Sequence, residues 1–351
     1  MTQRKNFDWV DTIRVFSTLI VIIFHYACAI IENPYLQNVI ENFIFGINHF
    51  GVAAFFGISG YLVVNSLDHS KNIRDFYRRK MIRIVFPFAI LDIIAVIFSN
   101  SVHFLSLGTI VGIFPFDMNI TKFFNIPHVF RVGEWFIGTI VLLYLVAPLI
   151  YKCLRRSVPL TMLGVILIAC FSANFFLPLQ DQEKIFNIQT LVLVRMPEFV
   201  IGMILFLYRD KIFSKASQIL ALLLTFAMIF YTAFSNLPSN NIWFKYFFGV
   251  ATDLHFILAL MLSIYLSFIV ADLANKHFKK TMAFFNGFKD ISYTVILVHH
   301  IIINKIVAFF GANNLNPFSA VMVLFLILFV IWIVSTIVRK ILAPIEKELL
   351  S

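Results

Sequence analysis

Arg14 and His25 are the two residues whose types and spacing first point to chemistry. Both fall in an apolar stretch, residues 12–31, that is long enough to cross a bilayer as a helix. A helix rises about 16 Å and makes about three turns between these positions, so the two side chains point to nearly the same side. An ionisable group in hydrocarbon costs about 3 kcal/mol unless it is partnered. The spacing therefore predicts a cation near one membrane surface that receives an anionic reagent, and a deeper imidazole that performs proton chemistry.

A plainer interpretation of the same two residues stays open at this point. Arg14 could instead be a positively charged anchor at the cytoplasmic end of the helix, with its guanidinium reaching the membrane surface. His25 could hydrogen-bond a neighbouring helix and serve packing alone.

The composition places the whole chain in a membrane. Of 351 residues, 60% are hydrophobic and 13% are charged, and 43 are Phe, which excludes an ordinary soluble domain and requires lipid to cover it. The net charge of +10 comes from short basic clusters between apolar spans. That distribution orients helices in a membrane, so we predict a lipid bilayer as partner and no nucleic acid.

Apolar runs of about 17–25 residues predict an all-α, polytopic integral membrane protein with about ten transmembrane helices. If the amino terminus is inside, 22 of the 28 basic residues fall on the cytoplasmic side. Both termini are therefore predicted to be cytoplasmic in a multi-pass protein of the cell membrane. We expect a single transmembrane domain over residues 1–351 without a soluble appendage. Residues 104–116 are interpreted as a re-entrant or interfacial piece, and the outer loop at 101–133 could form part of a roof over an external site. The predicted spans are 12–32, 41–67, 82–100, 134–152, 159–178, 190–208, 217–236, 250–271, 290–310 and 319–341.

The small residues of the second span favour close helix packing. Gly57, Ser59 and Gly60 leave room for another helix or a ligand to approach the backbone. Helix packing is the expected role of the two glycines.

Two pairs of charged residues have helical spacing. Arg79 and Arg83 are four residues apart, so on a helix they would share a face and could grip phosphates, although positive-inside anchoring accounts for this loop as well. Arg195 and Glu198 are three apart in the sixth span, and we interpret them as a structural ion pair.

Glu134 and Trp135 open the fourth span directly after the long outer loop. A carboxylate there could orient an imidazole or accept a proton, but an interfacial Trp and Glu are also common at any span end.

His299 and His300 repeat the His25 situation in the ninth span. Adjacent helical residues face directions about 100° apart, so we expect only one of the two to point at a shared cavity. The three cysteines, Cys28, Cys153 and Cys170, have no metal-ligand spacing, so no metal site is predicted.

The order of these features resembles the membrane-bound acyltransferase family 3, over nearly the whole chain. The resemblance rests on the Arg14 to His25 spacing, on Phe55-Phe56-Gly-Ile-Ser59-Gly60-Tyr61-Leu62, and on three further motifs. These are Arg79-x3-Arg83-x3-Pro87, Glu134-Trp135-Phe136-Ile137 with Tyr144 and Pro148, and Ser292-Tyr293 to His299. Ile296 departs from the pattern, because Tyr is expected there, and we expect no soluble domain of the kind that is fused to some members.

The resemblance implies an enzyme, an acyl-CoA-dependent O-acyltransferase that modifies a cell-surface or lipid-linked saccharide and holds no permanent cofactor. It implies acyl-CoA, by default acetyl-CoA, as the cytoplasmic donor substrate, with glycan synthesis or export machinery as a candidate partner. It implies catalytic roles for His25, Arg14 and Glu134. By the same likeness Arg14, Arg79 and Arg83 would bind the donor, and Ser59, Trp135 and His299 the acceptor.

Several alternatives remain open at the level of the sequence. His25 could act as general base or carry the acyl group, since both routes need the same imidazole. Succinyl is an alternative to acetyl. A different class, a transporter or exporter of a glycan or small solute, would also place charges inside the membrane, although inverted repeats are not evident in the sequence.

Overall fold

The computed structural model describes residues 8–33, 35–37, 45–98, 115, 132–183, 190–212, 214–216, 219–220, 223 and 252–351. The regular elements in these ranges are all helical, which confirms the all-α class. The α-helices are α1 (Asp8–Ala29), α2 (Phe45–Asp68), α3 (Ile73–Lys80), α4 (Phe86–Phe98), α5 (Glu134–Arg156), α6 (Val158–Glu183), α7 (Val192–Leu207), α8 (Arg209–Ile212), α9 (Thr252–His277), α10 (Lys279–Asn286), α11 (Ser292–Phe310) and α12 (Pro317–Leu350).

Six helical stretches in the described part of the chain are long and apolar enough to cross a membrane, so this is a multi-pass membrane protein. The total of about ten spans and the cytoplasmic placement of the termini stay predictions. The predicted span 217–236 lies outside the described residues except for 219, 220 and 223, as does the region 101–133 except for 115, 132 and 133. The six stretches are Trp9–Ala29, Gly51–Asp68, Trp135–Arg156, Val158–Phe176, Lys279–Phe310 and Pro317–Leu350.

The chain divides into two compact units. The first unit comprises Met1–Ile13, Ala53–His69 and Val146–Ala283, and the second comprises Arg14–Val52, Ser70–Leu145 and Phe284–Ser351. Whether they form one transmembrane domain, as the sequence predicts, stays a prediction.

In the first unit, glycines bring α2 and α7 into backbone contact. A Cβ atom at Gly60 would overlap the carbonyl of Phe199, and one at Gly202 would overlap the carbonyl of Gly57. Because both contacts are with backbone atoms, neither position has room for a larger residue. The predicted packing role of Gly57 and Gly60 is confirmed.

The first unit also contains the predicted ion pair on α7. Nη1 of Arg195 lies 2.5 Å from Oε1 of Glu198, and the two side chains are 3% and 1% exposed. The guanidinium stands 5.8 Å from the centre of the Phe56 ring. The structural pairing of Arg195 and Glu198 is confirmed.

In the second unit, α11 and α12 form a helical hairpin around an apolar core. Gly311 ends α11 with a φ of 76°, a conformation that favours glycine, and its N–H donates to the carbonyl of Val307. Asn316 then caps α12 by accepting a hydrogen bond from the N–H of Ser319 at 2.8 Å. Ile22 and Tyr26 of α1 belong to the same buried core as Val295 and Ile327, so α1 packs against this hairpin.

The basic segment of the second unit is helical throughout but not uniformly wound. A π-helical turn, Met81–Val85, joins α3 to α4, and the hydroxyl of Tyr293 donates to the Ile84 carbonyl within that turn at 2.7 Å. Extra turns of this kind often occur at functional sites. The Tyr293 bond fixes the start of α11 to the segment that carries Arg83.

Candidate active site

A single unbroken helix, α1, carries both Arg14 and His25, as the spacing predicts. Both side chains are half-buried. Its sequence forms a helix because apolar residues dominate it and proline and glycine are absent from Asp8–Ala29. Thr18 donates its hydroxyl hydrogen to the Arg14 carbonyl at 2.7 Å, so this polar side chain is satisfied within the helix.

Two side chains near His25 set the position of α1 in the second unit. The Tyr26 hydroxyl donates to the carbonyl of Ala320 on α12 at 2.8 Å. The fully buried Asn33 uses its amide to donate to the carbonyls of Ala312 and Leu315, at 2.8 and 2.7 Å. These bonds fix α1 lengthwise and in rotation against the α11–α12 hairpin.

His25, His299 and His300 meet in one group, which we call the histidine cluster. Nδ1 of His25 lies 2.8 Å from Nε2 of His300, and their ring centres are 4.3 Å apart. The His299 ring centre is 5.0 Å from that of His25 and 5.1 Å from that of His300. The two nitrogens of His25 and His300 are at hydrogen-bond distance, so these imidazoles can exchange a proton, and His299 packs against both rings.

The expectation that only one of His299 and His300 reaches a shared site was wrong. Both rings lie beside His25. His299 and His300 point about 100° apart on α11, and α1 crosses α11 between these two directions, so the His25 ring contacts both. His300 is thus the site residue that sequence reasoning missed. The signal available was the unusual pair of adjacent histidines inside an apolar span.

The geometry of the histidine cluster also bears on metal binding. One ring nitrogen from each histidine lies within 4.8 Å of the others, close enough for a shared ion. Nitrogens around a tetrahedral ion with bonds of 2.0–2.1 Å stand about 3.3 Å apart. The 2.8 Å separation between His25 and His300 is shorter and is that of a hydrogen bond. The absence of a metal stays a prediction.

His299 is the most enclosed member of the cluster, with 2% of its surface exposed. Its Nδ1 lies 2.9 Å from the carbonyl oxygen of Ile296. A carbonyl only accepts, so the hydrogen of this bond belongs to Nδ1, and the ring is held in one orientation.

An apolar cavity of about 500 Å³ lies beside the same helices. Val15, Thr18, Leu19 and Ile22 line it along one face of α1, and Val295 lines it from α11. Ile22 precedes His25 by three residues and Val295 precedes His299 by four, which is one helical turn in each case. The cavity thus extends from the turn of Arg14 to the turn below the histidine cluster.

The cavity wall offers almost no hydrogen bonds to an occupant. Of its two hydroxyls, Thr18 donates to the Arg14 carbonyl and Ser292 donates to the Lys289 carbonyl at 2.8 Å. Aromatic residues form much of the remaining wall, among them Phe284, Phe285 and Trp332. A cavity of this kind suits a hydrocarbon segment, because a sugar or a phosphate would lose its hydrogen bonds to water there.

Arg79 and Arg83, for which the sequence suggests phosphate binding, have different surroundings. Asp75 accepts two hydrogen bonds from Arg79, at 3.2 Å from Nε and 2.8 Å from Nη2. These bonds hold the pKa of the Asp75 carboxyl below its usual value, and a hydrogen bond from the N–H of Lys71 makes a smaller contribution in the same direction. Arg83 is exposed in the π-helical turn. Phosphate binding by both arginines stays a prediction, with Asp75 as a competing anion at Arg79.

Lys80 lies between these arginines and packs against aromatic rings. Its Nζ stands 4.3 Å from the centre of the Tyr144 ring and 5.6 Å from that of Phe76. Burial, with a smaller repulsion from Arg83, lowers the pKa of Lys80 from its ordinary 10.5 to about 8.

The remaining predicted site residues are placed as follows. Trp135 is half-buried in the first turn of α5, where its carbonyl accepts from the Thr139 hydroxyl at 3.2 Å. The side chain of Glu134 lies outside the described part of the chain. Ser59 is half-buried on α2 in the first unit, next to the Gly60 contact. The catalytic role of Glu134 and the substrate roles of Ser59 and Trp135 stay predictions.

Fold and site define an integral membrane protein whose first helix carries an arginine, borders an apolar cavity and brings one histidine against two histidines of α11. A family profile described as "Acyltransferase domain" (acyltransferase family 3) matches residues 7–338. The chain therefore belongs to the membrane-bound acyltransferase family 3, and the resemblance seen in its motifs is confirmed. No curated protein and no solved structure gives a significant match.

Proposed function

We propose that this membrane acyltransferase moves an acyl group, acetyl in the simplest case, from cytoplasmic acyl-CoA to a hydroxyl of a cell-surface or lipid-linked saccharide. The observation that carries the proposal is the line along α1 from Arg14, past the cavity, to the histidine cluster. The family supplies the reaction class. The donor and the acceptor are our inference.

The basic end of the second unit supports a polyanionic donor. Nη2 of Arg78 donates to the carbonyl of Leu349 at 2.7 Å, so the basic last turn of α3 lies beside the end of α12. Arg79, Lys80 and Arg83 on this segment would attract coenzyme phosphates. By the positive-inside rule we assign this end to the cytoplasm in the proposal, on the side where acyl-CoA is found.

The apolar cavity supports a thioester rather than a sugar as its occupant. The acyl group and part of the thiol-bearing arm of coenzyme A would enter it, while the charged phosphates stay at the basic end. Val15 lines the cavity directly after Arg14, and the guanidinium of the half-buried Arg14 would hold or polarise the donor.

The histidine cluster supports the chemistry. His25 would remove the proton of the acceptor hydroxyl as it attacks the thioester carbonyl, or would carry the acyl group between donor and acceptor. His299 would contribute to the acceptor side, as would Trp135 and Ser59, and Glu134 would assist the proton transfer.

The test is an assay of purified protein in detergent with radiolabelled acetyl-CoA, with and without an extract of surface polysaccharide. Release of coenzyme A by the wild type and its loss in His25→Ala would support the proposal, and the labelled product would identify the acceptor. Equal release by both folded proteins would remove His25 from the mechanism. No turnover with acetyl-CoA or succinyl-CoA, together with uptake or export of a glycan by the protein in vesicles, would favour transport.

A further inference from the structure

His300 contacts His25 through the shortest side-chain link in the histidine cluster. The 2.8 Å separation joins Nε2 of His300 to Nδ1 of His25, with the two ring planes at 66°. We infer that His300 is a positioning residue that accepts a hydrogen bond from Nδ1–H of His25 and thereby leaves Nε2 of His25 as the reactive nitrogen. The inference rests on the proposed function, since it concerns the group that would deprotonate the acceptor.

The direction of this hydrogen bond decides whether His25 can react. A bond between two neutral imidazoles requires one N–H and one lone pair. If His300 donated, Nδ1 of His25 would use its lone pair in the bond, and Nε2 would carry the hydrogen. His25 would then have no lone pair available for an acceptor hydroxyl or a thioester.

The opposite direction of this hydrogen bond leaves His25 with a lone pair that can react. When Nδ1–H of His25 donates to Nε2 of His300, the lone pair of His25 stands on Nε2. Both routes kept open for His25, general base and acyl carrier, need that lone pair. The role of His300 is then that of the acidic residue in a Ser-His-Asp triad, which fixes the tautomer of the histidine.

The surroundings hold both rings in place for this bond. The Tyr26 hydroxyl fixes α1 one residue after His25, and the Nδ1 bond to Ile296 orients His299 one residue before His300. The His299 and His300 rings meet edge to face, with centres 5.1 Å apart. The helix beside His25 and the ring beside His300 are therefore both held by contacts within the second unit.

In the proposed acyl transfer, the proton of the acceptor hydroxyl passes through His25 and ends on coenzyme A. The acceptor oxygen bonds to the acyl carbon as its proton passes to Nε2 of His25, and the positive charge is stabilised by the Nδ1–H bond to His300. The carbon–sulfur bond breaks, and the coenzyme A thiolate takes the proton back from Nε2. The products are the ester and coenzyme A, and both histidines return to their starting state.

Two substitutions of His300 separate positioning from simple packing. In His300→Gln, the side-chain oxygen can accept from Nδ1–H of His25 near the place of Nε2, whereas His300→Leu fills similar space without an acceptor. We expect His300→Leu to lose about 100-fold or more in kcat with the KM for acetyl-CoA nearly unchanged, and His300→Gln to recover most of it. His277→Leu, at an exposed histidine of α9, is the matched control.

Nitrogen NMR of histidine-labelled protein gives a readout that does not depend on turnover. We expect His25 to carry its hydrogen on Nδ1 in the wild type and in His300→Gln, and to become a mixture of tautomers in His300→Leu. Full kcat in His300→Leu, or a hydrogen on Nε2 of His25 in the wild type, would overturn the inference. Should the wild type transfer no acyl group while showing the Nδ1–H tautomer, the proposed function fails and the hydrogen-bond assignment stands.

Discussion

The hydroxyl of Tyr26 lies 2.8 Å from the carbonyl oxygen of Ala320 and donates a hydrogen bond to it. Because Tyr26 follows His25 directly, this bond between α1 and α12 sets the height of the His25 imidazole relative to α11. The ring of Tyr26 belongs to the apolar core, while its hydroxyl has a separate, positioning role.

Tyr26→Phe keeps that ring and removes the hydroxyl. We expect the free energy of unfolding to fall by about 1–2 kcal/mol, as for the loss of a buried hydrogen bond. Acyl transfer should fall about tenfold or more, because small displacements of a catalytic group are costly. Thermal unfolding in detergent and the kcat for acetyl-CoA measure the two effects. Tyr208→Phe, at an exposed tyrosine, is the control, and an unchanged kcat in Tyr26→Phe would contradict the positioning role.

Leu19→Trp tests whether the cavity holds part of the donor. Leu19 lines the cavity from α1, and a tryptophan would fill space that the acyl group or thiol arm needs. We expect the KM for acetyl-CoA to rise about tenfold or more, which corresponds to about 1.4 kcal/mol. Leu167→Trp at an exposed position of α6 controls for the bulk of tryptophan. A folded Leu19→Trp protein with the wild-type KM would mean that the donor does not enter this cavity.

Asp75 and Arg83 are expected to have opposite effects on donor binding. Asp75→Asn removes the negative charge that occupies Arg79, so the KM for acetyl-CoA should fall about two- to fivefold. Arg83→Gln should raise it about tenfold by removing a charged donor of hydrogen bonds to phosphate. Both differences should shrink between 0.1 and 1 M salt, roughly the range over which screening becomes strong. Equal KM values in all three proteins at low salt would remove this segment from the donor site.

Lys80 should titrate well below an ordinary lysine. After reductive methylation with labelled carbon, its NMR signal is expected to have a midpoint near the pKa of about 8 set by burial. Since Arg83 repels the charged form, Arg83→Gln should raise that midpoint. The unfolded chain binds the Lys80 proton more tightly, so this group makes folding stability increase as pH rises from about 8 toward 10.5. A midpoint above 10 in the folded protein would show that Lys80 is solvated.

The sequence predicted those features that depend on the periodicity of a single helix or on the size of a residue. The Arg14 to His25 arrangement, the Arg195 and Glu198 pair, and the packing of Gly57 and Gly60 follow from 3.6-residue periodicity and from the absence of a side chain. These features require no knowledge of where other helices lie.

The contact between His25 and His300 could not be predicted in the same way. It depends on where α1 crosses α11, and that crossing is set by hydrogen bonds from Tyr26 and Asn33 to residues almost 300 positions later in the chain. The cavity likewise depends on three helices meeting beside α1. A 3₁₀ turn at Lys289–Ile291 follows the aromatic residues Phe284, Phe285 and Phe288 of the cavity wall, and no proline in the sequence indicates it.

The bonds that fix α1 have a consequence for how this sequence can vary during evolution. Tyr26 and Asn33 donate to main-chain oxygens of Ala312, Leu315 and Ala320, and every amino acid supplies such an oxygen. The amino acids at positions 312, 315 and 320 can therefore be substituted, within the limits of packing, without loss of these bonds. We expect selection to act on the two donors, so that among homologues with a functional site positions 26 and 33 vary little while their acceptors change identity.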